Sequence, residues 1–409
     1  MLTLKRTIIS ILCGLIILLV TWKYQNYDYT LKLEDEFFKK VFWVKDKIYS
    51  PPPKKSASFI FINTGKDLAL VEDSIDYGNI AISDRDKILQ LLKNINAMKV
   101  KPAYCVLDIQ FYYPYTVNPQ TDTLMQLEIN KDSNILLPIL RAGKGAFRPP
   151  LYTSTYGHSE YRTFSTNFNK FRIILDENLK SIPLVMHEKI NNAKYEDGIL
   201  IPTCNDSLCL TAIWPTYYLK DNEIKKSMSG ESIQDIEENA KKKKKMQRVP
   251  VDYYNLGELL FDMEANPETY SNAFSDKIVI VGNFQEDVHT TPVGKMTGPV
   301  LLANLYLSLL NNQHIMNYWL LVLLLVTLSG LSYIAIFKKM PEVKINFKFL
   351  FSSYLSKFMK DYISYFGAMF LVSLLAVILF NVQVALFLPS LIFTGIVYIK
   401  EKKYLELKK

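Results

Sequence analysis

Residues 317–337 read NYWLLVLLLVTLSGLSYIAIF, a run of 21 residues without a charge. Wound as a helix at about 1.5 Å per residue, such a run covers about 30 Å, the thickness of a bilayer's hydrocarbon core. It therefore reads as a membrane span. Working outward, Thr7 to Trp22 (TIISILCGLIILLVTW) is a second uncharged run, and Ile363 to Ile399 is a third. The third would make a helix of roughly 55 Å, too long for one crossing. Its polar triplet Asn381-Val382-Gln383 divides it into two spans joined by a tight turn. Four spans are the expectation.

Positively charged residues are retained on the cytoplasmic side during insertion. Lys5 and Arg6 precede the first span, six lysines between Lys338 and Lys360 oppose the single acid Glu342, and Lys400, Lys402, Lys403, Lys408 and Lys409 follow the last. This orientation places both termini inside. The expected plan is residues 1–24 as N-terminus and anchor, 25–316 as one large extracytoplasmic domain, 317–337 as a span, 338–362 as a basic cytoplasmic loop, 363–399 as two spans and 400–409 as a basic tail. With Asp361, the cytoplasmic segments hold 13 basic and 4 acidic residues, a net +9, so the chain's +8 leaves −1 for the outer region. The positive balance is an orientation signal and not a nucleic-acid footprint. The expected location is a bacterial inner membrane, crossed several times, with the lipid bilayer as first partner.

The end of the first span, Val20-Thr21-Trp22-Lys23-Tyr24, lacks the small-x-small pattern of a cleavage site, which favours an uncleaved anchor. Cys13 lies mid-span after Leu12, where a lipoprotein site needs a small residue, and reads as a membrane cysteine. Cys105 sits in an apolar strand. Cys204 and Cys209 flank Asn205-Asp206-Ser207-Leu208, between Ile199-Leu200-Ile201 and Leu210-Thr211-Ala212-Ile213. That pattern predicts a hairpin with a four-residue loop, and an oxidising compartment would let its two facing sulfurs form a disulfide. No second Cys or His pair accompanies them in sequence, so neither a metal nor a cofactor is expected.

In the outer region, Tyr27 to Ile48 carries apolar residues at helical spacing before Pro51-Pro52-Pro53 and predicts a helix leading away from the membrane. Ser58 to Asn63 reads as a buried strand, Ser83 as the N-cap of a helix with Ile88, Leu91, Leu92 and Ile95 on one face, and Tyr104 to Phe111 as another core strand. Strand, helix, strand in that order predicts a parallel pair with a right-handed crossover. Residues 112–270 read as a hairpin-rich insertion, with strand-like pieces at Ile135 to Leu140, Phe171 to Leu175 and Ile199 to Ile213. The lysine run Lys241 to Lys245 reads as a solvated face. Lys277 to Gly282 closes the region as a strand, and Val300 to Leu310 as a helix. The fold class is thus an α/β outer domain with a mostly parallel sheet, on four transmembrane helices.

Three places carry a family likeness. Ser83-Asp84-Arg85-Asp86 opens a helix, and Val106-Leu107-Asp108-Ile109-Gln110-Phe111 ends a strand. The third is a block in which Asp276 to Gly282 precedes Asp287-Val288-His289-Thr290-Thr291-Pro292-Val293-Gly294, Gly298-Pro299-Val300 and Ala303-Asn304. The chain resembles the second type of CHASE domain (cyclases/histidine kinases associated sensory extracellular), whose members commonly have one span before the domain and three after it. Asn63-Thr64 departs from the acidic pair usual there, and Ala81-Ile82 from a Trp-Pro pair. The resemblance implies a sensory domain. In the family the last span usually leads to an output enzyme, whereas about ten residues follow Ile399 here, so the message is expected to pass to a separate membrane or cytoplasmic partner.

Asp108, at the C-terminal end of a parallel strand, stands where open α/β sheets bind ligands. Asp287 and His289 follow another strand, so the three could converge as a metal or catalytic site, or, with Thr291 and Arg85, as contacts to a small-molecule or protein ligand. The alternative is that the aspartates cap loop amides while Thr291 and Pro292 fix a turn. Gly282 and Gly294 read as turns requiring positive φ. No Gly-x-Ser-x-Gly or comparable nucleophile arrangement appears, so no enzyme is expected. The near absence of charge within the spans argues against transport. Two functions stand: an extracytoplasmic sensor, possible as a homodimer, or a docking subunit of an envelope complex.

Overall fold

The computed structural model describes residues 2–25, 32–49, 52–72, 79–111, 113–142, 146–148, 155–159, 170–175, 179–196, 202–221, 224, 249–338 and 353–406. The chain divides into two compact units, Met1–Ile48 with Ile315–Lys409, and Tyr49–Arg162 with Thr166–His314. The lysine run 241–245, Ile199–Ile201 and most of the basic loop, 339–352, lie outside the described residues.

In chain order, the first unit opens with α1 (Leu2–Gln25) and α2 (Lys32–Ile48). The second unit follows with β1 (Phe59–Asn63), β2 (Leu68–Glu72), β3 (Asn79–Ser83), α3 (Arg85–Ala97), β4 (Tyr104–Asp108), α4 (Pro119–Asn130), β5 (Ile135–Ala142), β6 (Ala146–Arg148) and β7 (Thr155–His158). Then come β8 (Phe171–Arg172), α5 (Ile182–Asn191), β9 (Tyr195–Glu196), β10 (Thr203–Cys204), β11 (Ser207–Leu208), β12 (Ala212–Ile213) and β13 (Val251–Asn255). It ends with α6 (Leu256–Ala265), α7 (Pro267–Phe274), β14 (Ile278–Gly282), β15 (Val288–Thr291), β16 (Gly294–Thr297) and α8 (Gly298–Leu310). The first unit resumes with α9 (Tyr318–Phe337), α10 (Ser353–Phe380) and α11 (Phe387–Glu406).

The domain is α/β. Six strands run parallel in the order β13-β1-β14-β4-β5-β7, and β6 adds antiparallel to β5. The expected strands β1 and β4 share this sheet but do not pair, because β14 lies between them, in register Asn63↔Gly282↔Asp108. The reason is burial. Ile278–Gly282 is buried at every position, and an all-apolar strand needs both faces covered. One face of the sheet, with Ile60, Ile62, Cys105, Leu107, Val279 and Val281, packs on α3, α4, α6 and α7. On the other face Phe59 meets Tyr306 of α8, ring centroids 6.2 Å apart.

Two local expectations change. Ser83 ends β3; the N-cap of α3 is Asp84, whose carboxylate accepts from Asp86 N and Lys87 N. The β2–β3 hairpin, Leu68↔Ser83 through Glu72↔Asn79, was not expected from the sequence, since its faces mix Leu, Ala, Ile and polar residues without clean alternation. On α8, Asn304 is fully buried and clasps the insertion: Oδ1 accepts from Leu219 N (2.8 Å) and Nδ2 donates to Leu219 O (3.0 Å). The Ala303-Asn304 pair is therefore a packing device.

In the helical unit, α1 and α9 pack side by side, as the return of both domain ends to one membrane face predicts. A Cβ on Gly14 would stand 2.7 Å from Ser329 N, so glycine permits this close approach. Ser10, Ser332, Ser390 and Thr394 hydroxyls donate to carbonyls four residues back, which satisfies them without a partner helix. The third apolar run does break at the polar triplet: Asn381 takes φ +59° and ends α10. Ser373 Oγ donates to Val384 O (2.7 Å) and accepts from Val384 N (3.1 Å), while Glu34 of α2 accepts from Leu386 N (2.8 Å).

Helix α2, expected to lead away from the membrane, instead lies on α10. Phe37 meets Phe370, and Lys45 Nζ donates to Val377 O (2.6 Å) and Asn381 Oδ1 (3.0 Å). Its phenylalanine stripe needs an apolar partner, and its charges meet the broken backbone at the turn. Among the described residues, three helices are long and apolar enough to cross a membrane, at Thr3–Lys23, Tyr318–Phe337 and Ser356–Phe380. Helix α11 is not, because its uncharged part ends at Ile399 and covers only about 20 Å. Four such helices were expected; three are found.

Candidate functional site

Parallel strands all point one way, so their C-terminal ends form a single edge where side chains from distant segments meet. Here that edge holds Asn255, Asn63, Gly282 and Asp108, side by side in register. Asn63, which stands where the resembled family usually has an acid, is engaged at both ends: Oδ1 accepts from Gly65 N (2.9 Å) and Phe284 N (3.1 Å), and Nδ2 donates to Asn255 Oδ1 (3.2 Å).

Asp108 is different. Burial, with the nearby Asp287 carboxylate adding to it, pushes its carboxyl up from 3.8 to about 8. Asp287 reaches the edge because α8 starts beneath it. Gly298 N donates to Asp287 O (2.9 Å), and a Cβ on Gly298 would lie 1.8 Å from Asp287 Oδ2. The absent side chain lets a carboxylate rest on the helix N-terminus, where the dipole favours it. Its other oxygen, Oδ1, is 2.7 Å from His289 Nε2, and both groups are partly exposed. Asp108, Asp287 and His289 thus come together as the sequence suggested. Gly282 stays small because a Cβ would strike Pro299, 2.7 Å away; positive φ belongs to Gly294 (+125°) and not to Gly282.

Thr291 and Arg85 are placed otherwise. Thr291 Oγ1 donates to Gly294 O (2.6 Å) and closes the β15–β16 turn. Arg85, 1% exposed, pairs with Asp122 Oδ1 (2.6 Å), donates to Tyr113 O, and lies against the rings of Phe111 (5.4 Å) and Tyr115 (5.8 Å). Tyr115 N donates to Asp122 Oδ2 (2.9 Å). Its hydroxyl faces Asp84 and Asp86, and burial with these two carboxylates raises its pKa. Arg85 therefore ties the loop after β4 to α3 and α4 and does not join the cluster.

The hairpin at Cys204 and Cys209 is tighter than expected. Cys204 pairs with Ser207 across a two-residue turn in which Asn205 and Asp206 take φ +47° and +63°. The cysteines are thus diagonal and not facing, and both are free thiols. Sequence reasoning missed their neighbour. His314, more than a hundred residues away, lies with a ring nitrogen within 4.8 Å of both sulfurs, and all three residues are buried. A hydrogen bond with Cys209, then His314, lowers the Cys204 thiol against the opposing effect of burial, while Cys209 is raised. His187 packs edge-on to His314, ring centroids 5.3 Å apart, and burial holds it neutral, down at about 4. No local spacing in the sequence signals this meeting.

The family model for the CHASE2 domain matches residues 9–337. No curated protein matches the chain, and no solved structure does.

Proposed function

The chain belongs to the CHASE2 domain family, a family of sensory extracellular domains, and from that premise we propose that it is a membrane-bound extracytoplasmic sensor. It recognises its ligand at the Asp108–Asp287–His289 edge of the sheet and relays the change through its transmembrane helices to a separate partner. The observation that carries this reading is the edge itself: a carboxyl raised to about 8 beside a partly exposed Asp287–His289 pair. A protonated Asp108 offers a donor and Asp287 an acceptor, a pairing suited to a small polar ligand. A signal needs a ligand that distinguishes two states. Helix α9 follows the domain directly in the chain, and its tight packing on α1 at Gly14 and Ser329 makes the pair the natural route.

For topology, the reading keeps α11 as a fourth crossing. Lys357 Nζ lies 2.6 Å from Glu401, Lys400 Nζ donates to Lys338 O (2.9 Å), and Arg6 stands over the Phe337 ring (5.5 Å). The basic ends of four helices thus share one level, which the positive-inside rule makes cytoplasmic. The residues from Val382 supply the length that α11 lacks. A bacterial inner membrane with both termini inside fits this arrangement.

The test is thermal unfolding of the full chain in detergent against a small-molecule library, since a ligand that binds only the folded state raises Tm. A shift present in the native protein and absent from Asp287→Asn supports the reading. No shift from any compound, with a stoichiometric protein partner retained through mild extraction, would replace it with the docking subunit.

A further inference from the structure

The Cys204–Cys209–His314 cluster is unexplained by the sheet-edge site. Its geometry is built by the fold. The tight turn at Asn205-Asp206 puts Cys204 opposite Ser207, so Cys209, two residues on, points to the same face of the hairpin. Leu210 N donates to His314 O (2.8 Å), which pins the histidine beside that face. His314 is fully buried, and neither ring nitrogen reaches an oxygen or nitrogen partner among the described residues; the sulfurs are its polar neighbours. A disulfide would use the two sulfurs and leave the imidazole without a purpose. A metal ion would use all three.

We propose that Cys204, Cys209 and His314 bind a thiophilic d10 metal ion, of the zinc or cuprous class, independently of the sensory reading above. Soft thiolates with an imidazole select such ions. In a tetrahedral zinc shell, bonds of about 2.3 Å to sulfur and 2.0–2.1 Å to nitrogen put ligand atoms less than about 4 Å apart. The three atoms already lie within 4.8 Å of one another, so small side-chain rotations bring three donors to bonding distance; a cuprous ion is satisfied by these three, and zinc takes a water as its fourth ligand. Binding releases the two thiol protons to solvent. With a dication the two thiolates leave the buried site neutral, and with a monocation the site keeps one negative charge. A ring nitrogen of His314 enters as a neutral donor. The bound ion joins the β10–β11 hairpin to the segment that runs into α9, three residues before its N-cap Asn317.

The experiment uses the full chain purified in detergent with a phosphine reductant under nitrogen. Zinc and cuprous ions are added separately, and bound metal is measured by elemental mass spectrometry after desalting. Cobalt(II) serves as the spectroscopic stand-in for zinc. The expected result is one equivalent of one of the two ions, with at least a tenfold loss of affinity in Cys204→Ser and in His314→Gln. Cobalt should give a thiolate charge-transfer band and tetrahedral visible bands in the native protein, a readout independent of whether the variants fold. Neither ion bound stoichiometrically, or equal uptake by Cys204→Ser with no thiolate band, overturns the proposal. So does peptide mapping that finds Cys204 and Cys209 already joined, two hydrogens lighter and released by reductant but not by chelator.

Discussion

Two charged clusters lie near the same end of β4, and they behave oppositely. Around Arg85, the contacts close into a network: Asp122 accepts from the guanidinium and from Tyr115 N, and two aromatic rings cover the cation. Around Asp108, the groups are brought together but not closed; burial and the Asp287 carboxylate raise the carboxyl well above the usual carboxylate range, and the Asp287–His289 pair is partly open to solvent. A satisfied network fixes the fold, whereas a poised one can answer a ligand or a proton. On the proposed reading, the contrast separates architecture from recognition among residues that look alike in sequence.

Breaking the closed network should have the largest effect. Arg85→Met strands Asp122 and the Tyr113 carbonyl, and thermal unfolding should show a loss of about 3–5 kcal/mol, the range for removing one partner of a buried pair. Gly298→Ala forces a Cβ into the Asp287 carboxylate and should lose about 1–3 kcal/mol by overpacking, together with any ligand-induced rise in Tm.

Asp108→Asn tests the poised side through pH. The folded pKa lies above the ordinary value, so folding favours the protonated form; that stabilisation is whole below about pH 4 and is lost as pH rises toward about 8. Native Tm should therefore fall between pH 5 and 9, and the variant's should fall less, ending above the native value at pH 9. Parallel curves would show that Asp108 ionises freely. His289→Gln should change stability by less than about 1 kcal/mol, as expected for a partly exposed pair, while altering ligand-dependent shifts. A loss as large as that of Arg85→Met would erase the contrast between the clusters.

Much of this was legible in advance because its signals are local. The spans at Thr7 to Trp22 and Asn317 to Phe337 announce themselves by an unbroken lack of charge, and Asn381 by its place in an overlong apolar run. The strands Phe59–Asn63, Tyr104–Asp108 and Ile278–Gly282 show by apolar runs bounded by turns. Asp108, Asp287 and His289 could be nominated because strand ends of a parallel sheet converge by rule. Arg85 could not be sorted from them, since its environment depends on Asp122 and on rings from a loop downstream. The length of α11 was overestimated because Val384 to Leu386 is apolar but not helical.

What the sequence by itself determined is therefore a membrane protein with an α/β domain and the position of its sheet edge, since hydropathy, periodicity and turn chemistry act within a few residues. The tertiary structure alone decided that β14 separates β1 from β4, that α2 folds onto α10, and that His314 stands beside Cys204 and Cys209. Those are meetings of segments far apart in the chain, settled by which surfaces can bury one another and not by anything written in a local window.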